Sequence, residues 1–397
     1  AGNGDHQGSG RVGGDGVMKK LLPEVCTIQY GFPFDSAKFS DSEGVPLIRI
    51  RDVVRGYSET FTTEEYKDEF LVHESDLLVG MDGEFNIAKW GKTPALLNQR
   101  VCRLMPKTNI DKGYLFYFMP TALKKIEEKT PFVTVKHLSA KELNKIEIPI
   151  LPVDEQKKIA TVLDKVSDLI SCREQQLVKL DELVKARFVE MFGDLASPAC
   201  PWKKEKIVNI CADQDDIKCG PFGTQLSKDE YQSTGVTVWE IPQINSNFLL
   251  KPTHFITAEK ALQLESYSII PGDIAMSRKG NVGRCAVFPE NLKNGIIHSD
   301  VLRIRIDKKR AVPTFMMHQL HNSNFIKHQI ELVSSGAIMA GINVTKLKEI
   351  EVHLPPLTLQ NEFAAFVERV DQQKQTVQQS LEKLELMRKA LMQEYFG

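Results

Sequence analysis

Two stretches of this chain carry the same heptad pattern, and no other feature constrains the fold as strongly. In PVDEQKKIATVLDKVSDLISCREQQLVKLDELVKARFVEMFG, residues 152–193, the positions Ile159, Leu163, Val166, Ile170, Leu177, Leu180, Val184 and Met191 recur at steps of four and three, with Arg173 and Arg187 as polar interruptions. No Gly or Pro falls inside the run, so it reads as one helix on the order of 55–60 Å long. PLTLQNEFAAFVERVDQQKQTVQQSLEKLELMRKALMQEYFG, residues 356–397, repeats it without a gap at an offset of about 204 residues. Pro152 falls on Pro356, Gln156 on Gln360, Leu177 on Leu381, Leu180 on Leu384, and Phe192-Gly193 on Phe396-Gly397. Its seam runs through Phe363, Val367, Val370, Val377, Leu381, Leu384, Leu391 and Tyr395, interrupted by Lys374 and Arg388. One helix cannot bury such a seam alone, so each stretch is the other's expected partner. The staggered polar positions would fix their register.

The rest of the chain is ordinary in composition. Of 397 residues, 42% are apolar and 26% charged, enough for two to three domains with cores of their own. No apolar run approaches the roughly 18 residues of a membrane span and no secretory pattern opens the sequence, so the cytoplasm is the expected compartment. Seven Cys without a CxxC pair fit neither a disulfide framework nor a zinc site, and are expected to be buried thiols. A net charge of −1 argues against a chain coated in basic residues, so any nucleic-acid binding must come from local patches or partners. Residues 1–17 read as a flexible leader or a remnant of expression. Their Gly8, Gly10 and Gly13 spell GxGxxG without the flanking strand and helix that a dinucleotide site needs.

Between residues 18 and 151 short apolar alternations are broken by Gly, Pro and Asp. Residues 46–53, 76–81, 96–105 and 145–151 read as strands and residues 112–125 as a helix, which makes an α+β domain. A second domain, 194–355, follows a SPACPW linker and repeats these landmarks in order. IQYGFPF at 28–34 is answered by IKCGPFG at 217–223, and VPLIRIRDV at 45–53 by VTVWEIPQI at 236–244. DLLVGMDGEFNI at 76–87 is answered by DIAMSRKGNVG at 273–283, and NQRVCRL at 98–104 by HSDVLRI at 298–304. The framework repeats and the loops differ, as expected of one scaffold carrying two recognition surfaces.

The order of these parts is a variable domain, a long helix opening with P-x-x-x-Q and closing with F-G, then a second copy of both. Together with the junctions KELNKIEIPILPVDEQKKIA and TKLKEIEVHLPPLTLQNEFA, it resembles the specificity subunits of type I restriction-modification systems, over residues 18–397. The resemblance implies two similar target recognition domains, 18–151 and 194–355, joined by two long antiparallel coiled-coil helices, 152–193 and 356–397, in an internal pseudo-twofold repeat. Each domain would read one half of a split double-stranded DNA site. The helices would dock two methyltransferase subunits and, through them, the motor-nuclease subunits. The chain itself would be non-catalytic and bind no cofactor, with S-adenosylmethionine, ATP and Mg held by the partners.

Physical reasoning points the same way, because two readers on a rigid spacer bind half-sites at a fixed separation. Base contacts would come from the non-repeated loops, with Arg or Lys reading guanine and Asn or Gln reading adenine. The candidates in the first domain are Arg49, Arg51 and Arg55, then Lys89, Trp90 and Lys92, then Lys136 and His137. In the second they are Gln243, Asn245 and Asn247, and a Gly-rich cluster of Ser277, Arg278, Lys279, Asn281 and Arg284. Two other classes stay open. One is a coiled-coil scaffold that reads no DNA, which the near-neutral charge permits. The other is a stand-alone nuclease built on Asp76, Asp82, Glu84 and Lys89, which the second copy does not match. His318, His321 and His328 lack a spaced Cys or acidic ligand and read as surface or core histidines rather than a metal site. The outer helix faces, with Val162, Leu169 and Leu183, would be left exposed without partners.

Overall fold

In the computed structural model of the protein the two heptad stretches are helices of 40 residues each, Val153–Phe192 and Leu357–Phe396. Residues 18–130, 136–280, 282–334 and 341–397 are described, and the leader, 1–17, with its GxGxxG lies outside them. Both helices start and stop by the same chemistry. The carbonyls of Pro152 and Pro356 accept from the amides of Gln156 at 3.1 Å and Gln360 at 3.2 Å, and a missing proline N–H costs nothing at a helix start. Gly193, at φ 73°, takes the left-handed conformation that ends the first helix, its N–H donating to the Val189 carbonyl.

The P-x-x-x-Q motif has a mechanical role. The Gln156 side chain is fully buried, accepts from the Asp111 amide at 2.8 Å and donates to the Leu151 carbonyl at 2.8 Å. Gln360 repeats this, accepting from the Val312 amide at 2.9 Å and donating to the Pro355 carbonyl at 2.7 Å. Asp111 and Val312 are the N-caps of the helices Lys112–Lys129 and Pro313–Asn322. One amide therefore locks each long helix to the helix beneath it and satisfies two backbone groups that burial would otherwise leave unpaired.

The chain forms two units, Ala1–Glu174 with Gln378–Gly397, and Gln175–Val377. Each contains the start of one long helix and the end of the other, an antiparallel pairing. In the first unit the strands Cys26–Tyr30, Val101–Pro106, Leu77–Gly80 and Asn86–Lys89 form an antiparallel sheet in that order. A second sheet has Val45–Ile48 running parallel to Ala95–Leu97 at its centre. Lys19–Leu21 pairs with Glu147–Pro149, just before the first long helix. The core is built on Leu77, Val79, Leu104, Tyr114 and Leu115, and it takes in Ile159 and Leu163 from one long helix and Phe396 from the other.

The second unit repeats this topology, with four strands rather than five in its mixed sheet. Its antiparallel sheet runs Ile217–Cys219, Val301–Ile304, Ile274–Ser277, Cys285–Val287, and Val236–Trp239 lies parallel to Gly295–Ile297. Lys203–Lys206 pairs with Glu351–Leu354 before the second long helix. Phe188, Phe192, Phe315 and Phe363 form an aromatic cluster in its core, with centroids of Phe192 and Phe315 4.7 Å apart. The repeated glycine of YGF and CGP marks a close approach. A Cβ at Gly31 would lie 2.0 Å from the Asn98 carbonyl oxygen, and one at Gly220 would lie 2.3 Å from that of His298.

Several sequence expectations are corrected. The strand expected over 46–53 stops at Ile48 and becomes the helix Ile50–Arg55, because the Asp52 carboxylate caps the Arg49 amide at 2.9 Å and Gly56, at φ 74°, closes the turn. Residues 236–244 divide in the same way into Val236–Trp239 and the helix Ile241–Asn245. The strand expected over 96–105 is broken at Arg100, held at φ 72°. Of the seven cysteines, Cys172 is exposed on the first long helix and Cys200 is half-buried, while the other five are buried and all are free thiols.

Along the helices Leu163, Val166, Ile170, Leu180, Val184, Val367, Val370, Val377 and Leu381 are buried, and Leu177, Leu384 and Leu391 partly so. Towards the end of the first helix the seam shifts from Arg187 to Phe188 and Phe192, a row of i+4 neighbours that packs on both Phe363 of the partner helix and Phe315 of the domain core. Arg187 instead lies over the Phe366 ring and pairs with Glu362 at 3.4 Å, and Lys374 pairs with Asp181 at 2.5 Å. Among the described residues no helix is long and apolar enough to cross a membrane.

Candidate nucleic-acid interface

Each domain holds its variable loops on a partly buried acid-base framework. The Asp76 carboxylate accepts from the His73 amide and from Arg103, both at 3.0 Å, and Arg103 also donates to the carbonyls of Glu69 and Leu71. In the second domain Asp273 accepts from the Ile270 amide at 2.9 Å and from Arg305 at 2.8 Å, while Arg303 donates to the carbonyls of Ser266 and Ser268. Asp76 and Arg103 are therefore framework. The carboxylates considered for a nuclease do not converge, since Asp82 pairs with His137 and Arg100, and Lys89 with Asp164.

The structure sorts the candidate contacts into free and tied. In the first domain Arg49, Arg51 and Arg55 lie along the exposed helix Ile50–Arg55, with weak ties of Arg51 to Asp52 at 3.7 Å and Arg55 to Glu59 at 3.7 Å. Lys92 is exposed in the following loop. Lys89 is not a loop residue. It sits on the strand Asn86–Lys89, over the Phe116 ring and 3.2 Å from Asp164 of the long helix, so it fastens the domain to that helix. Trp90 is buried, its indole N–H donating to the Thr93 carbonyl at 2.7 Å, and is core rather than a base-stacking platform. Lys136 caps the Glu127 carbonyl at 2.9 Å and pairs with its carboxylate, while His137 is exposed.

In the second domain Gln243 is buried and corrected from a base contact to a structural one, because its amide donates to the Lys251 carbonyl and accepts from the Glu240 amide. Asn245 and Asn247 are exposed, but Arg284 holds their turn together, donating to the Asn245 carbonyl at 3.1 Å and meeting His321 at 2.8 Å. Arg284 is thus a brace. Ser277 is fully buried. Arg278 lies over the exposed Phe222 ring and donates to the Ser299 carbonyl at 3.3 Å. Lys279 is about half exposed and pairs with Asp300 at 2.8 Å. Asn281 lies outside the described residues.

His318 and His321 are held neutral. Burial pushes both down to about 4, and the N–H of Arg284 needs an unprotonated His321 nitrogen to donate to. His318 packs edge-on against Phe363, and His328 is exposed on the next helix, so the three do not share a site.

Two groups escaped the sequence reading, Arg100 and Asp300. Arg100 lies 3.6 Å from Asp82 and within 3.4 Å of His137, and Asp300 is the partner of Lys279. The signal was present in the paired stretches NQRVCRL and HSDVLRI, where Arg100 falls on Asp300.

Comparison with known proteins agrees with this architecture. A family described as type I restriction modification DNA specificity domain matches residues 14–182 and again 216–386. The chain is 28% identical over 382 residues to the EcoBI type I restriction enzyme specificity subunit of Escherichia coli, covering 90% of this chain and 79% of that one. It is 22% identical over 377 residues to the MjaVIII specificity subunit of Methanocaldococcus jannaschii, covering 87% of each. Among solved structures it resembles a type I restriction-modification S subunit from M. genitalium, with a TM-score of 0.62 at 14% identity over 97% of each chain. A chain from a study of type I assembly and conformational transition gives a TM-score of 0.54 at 16% identity, over 96% of this chain and 97% of that one. With two matched copies spanning most of its length, this chain belongs to the family of type I restriction-modification DNA specificity domains.

Proposed function

We propose that the chain is the sequence-specificity subunit of a type I restriction-modification complex, non-catalytic itself and acting in the cytoplasm on double-stranded DNA. Residues 18–151 and 194–355 act as target recognition domains, each reading one half of a split site. The carrying observation is the duplication itself: one strand order in the antiparallel sheets, with an acid and an arginine repeated at matched positions, occupied by unlike exposed loops. Arg49, Arg51, Arg55 and Lys92 are the exposed candidate cations of the first domain. Arg278, Lys279, Asn245 and Asn281 are the candidates that the second domain offers. The helices leave apolar side chains uncovered, Val162 and Leu169 in one unit and Val178, Leu183 and Val189 in the other. These faces suit two methyltransferase subunits, which would carry S-adenosylmethionine and in turn engage motor-nuclease subunits that use ATP and Mg. Deleting the gene in a host that also carries its methyltransferase is expected to erase adenine methylation at one two-part motif with a fixed gap, read by single-molecule sequencing. An unchanged methylation pattern would leave a protein scaffold as the remaining reading.

A further inference from the structure

The same place in the two domains carries an ion pair of opposite polarity. The strands Leu77–Gly80 and Ile274–Ser277 pair with Val101–Pro106 and Val301–Ile304 so that Gly80 meets Val101 and Ser277 meets Val301. Beyond them the backbone repeats bond for bond. The Met81 amide donates to the Arg100 carbonyl at 2.9 Å, and the Arg278 amide to that of Asp300 at 3.1 Å. The Met81 and Arg278 carbonyls in turn accept from the amides of Leu138 at 2.7 Å and Ile342 at 3.1 Å. Asp82 is thus the counterpart of Lys279, and Arg100 of Asp300. The first domain presents acid and base as Asp82 and Arg100, the second as Lys279 and Asp300.

This inversion is not what framework would do. The framework keeps its polarity: Asp76 and Asp273 are acids at one register position, and Arg103 and Arg303 are arginines at another, each donating to carbonyls of the preceding loop. The inverted pairs face solvent, with Arg100 54% and Lys279 47% exposed. Arg100 is also held at φ 72°, a left-handed conformation that non-glycine residues rarely adopt and that is tolerated where the placement of a side chain matters.

We infer that these two pairs determine specificity, each reading one G·C base pair in the major groove and the two reading it in opposite orientations; the inference rests on the DNA-reading function proposed above. In that groove guanine shows acceptors and cytosine an amino donor side by side. A guanidinium or ammonium next to a carboxylate is the complement of that edge. Arg100 takes guanine and Asp82 the cytosine amine in one half-site. Lys279 takes guanine and Asp300 the cytosine amine in the other, with the two ends of the base pair exchanged relative to the scaffold.

Exchanging the charges as Asp82→Lys with Arg100→Asp preserves the ion pair and gives up the contact of Asp82 with the exposed His137, so the fold should tolerate it. Methylation directed by this variant together with the methyltransferase subunits is read by single-molecule sequencing. The expected result is one G·C pair of one half-site replaced by C·G, with the other half-site and the gap unchanged. Lys279→Asp with Asp300→Lys is expected to do the same to the other half-site. Should a double exchange fail to assemble, Asp82→Asn with Arg100→Gln keeps size without charge, and it is expected to cut discrimination at that position roughly tenfold or more. Variants that assemble and methylate the original motif with undiminished selectivity overturn the inference. If the unaltered chain directs no two-part motif, the DNA-reading function fails, and this inference with it.

Discussion

His318 and His321 are kept uncharged by their surroundings, and this makes the second unit acid-sensitive. Their folded values near 4 lie below the ordinary histidine value of 6.5, so between those limits the unfolded chain binds protons that the folded chain refuses. Stability from this source is complete above about pH 6.5 and is lost as pH falls towards 4. At pH 5 the enclosed His318 alone accounts for about 2 kcal/mol, with a smaller share from His321. Urea unfolding of the second unit at pH 7 and pH 5 should show that loss, and His318→Asn should flatten the pH dependence whatever it does to stability at pH 7. An unchanged slope in the variant would mean that His318 takes up its proton as readily in the folded chain as in the unfolded one. The same local view explains why the site was only half legible in the sequence. Arg49, Arg51, Arg55 and Lys92 look exposed in the sequence and are exposed. Lys89, Trp90, Gln243 and Arg284 look similar, yet partners such as Asp164 and His321, distant in sequence, absorb Lys89 and Arg284, and no local pattern encodes that.

At the scale of elements, what could be read was what repeats with a physical period. The heptad seams gave both long helices nearly to the residue, since Pro and Gly mark their ends. The alternating LIRIR of residues 47–51 has the period of a strand, and only the Asp52 cap and Gly56 convert it to a helix. The repeated glutamines were visible as a motif, but their purpose was not, because it depends on the N-caps Asp111 and Val312. Replacing Gln156 with Met keeps volume and removes its three side-chain hydrogen bonds. It leaves the partly buried Asp111 N–H and Leu151 carbonyl without these partners, at a cost of roughly 2–4 kcal/mol for the first unit. Gln360→Met should cost the second unit a similar amount. Denaturant titration checks both, and a loss below about 1 kcal/mol would mean that the clamps are dispensable.

At the scale of the whole molecule, the chain's far end completes its first domain. Phe396 is 5% exposed, and its ring lies 5.4 Å from that of Tyr114 and 5.9 Å from that of Phe118, in a core whose other buried residues run no further than Leu163. Leu391, Met392 and Tyr395 pack against the same core. During synthesis the first domain is therefore made early but cannot close its core until the second long helix emerges. Phe192 does the equivalent work in the second unit from within the chain's middle, against Phe315 and Phe363. Removing a buried ring of this kind costs about 3–5 kcal/mol. Phe396→Ala should speed amide exchange in the strands Leu77–Gly80 and Val101–Pro106 and spare Ile274–Ser277 and Val301–Ile304. Phe192→Ala should reverse that pattern. Equal loss of protection in all four strands from either substitution would mean that the two units unfold as one, and that the division of each long helix between them has no energetic consequence.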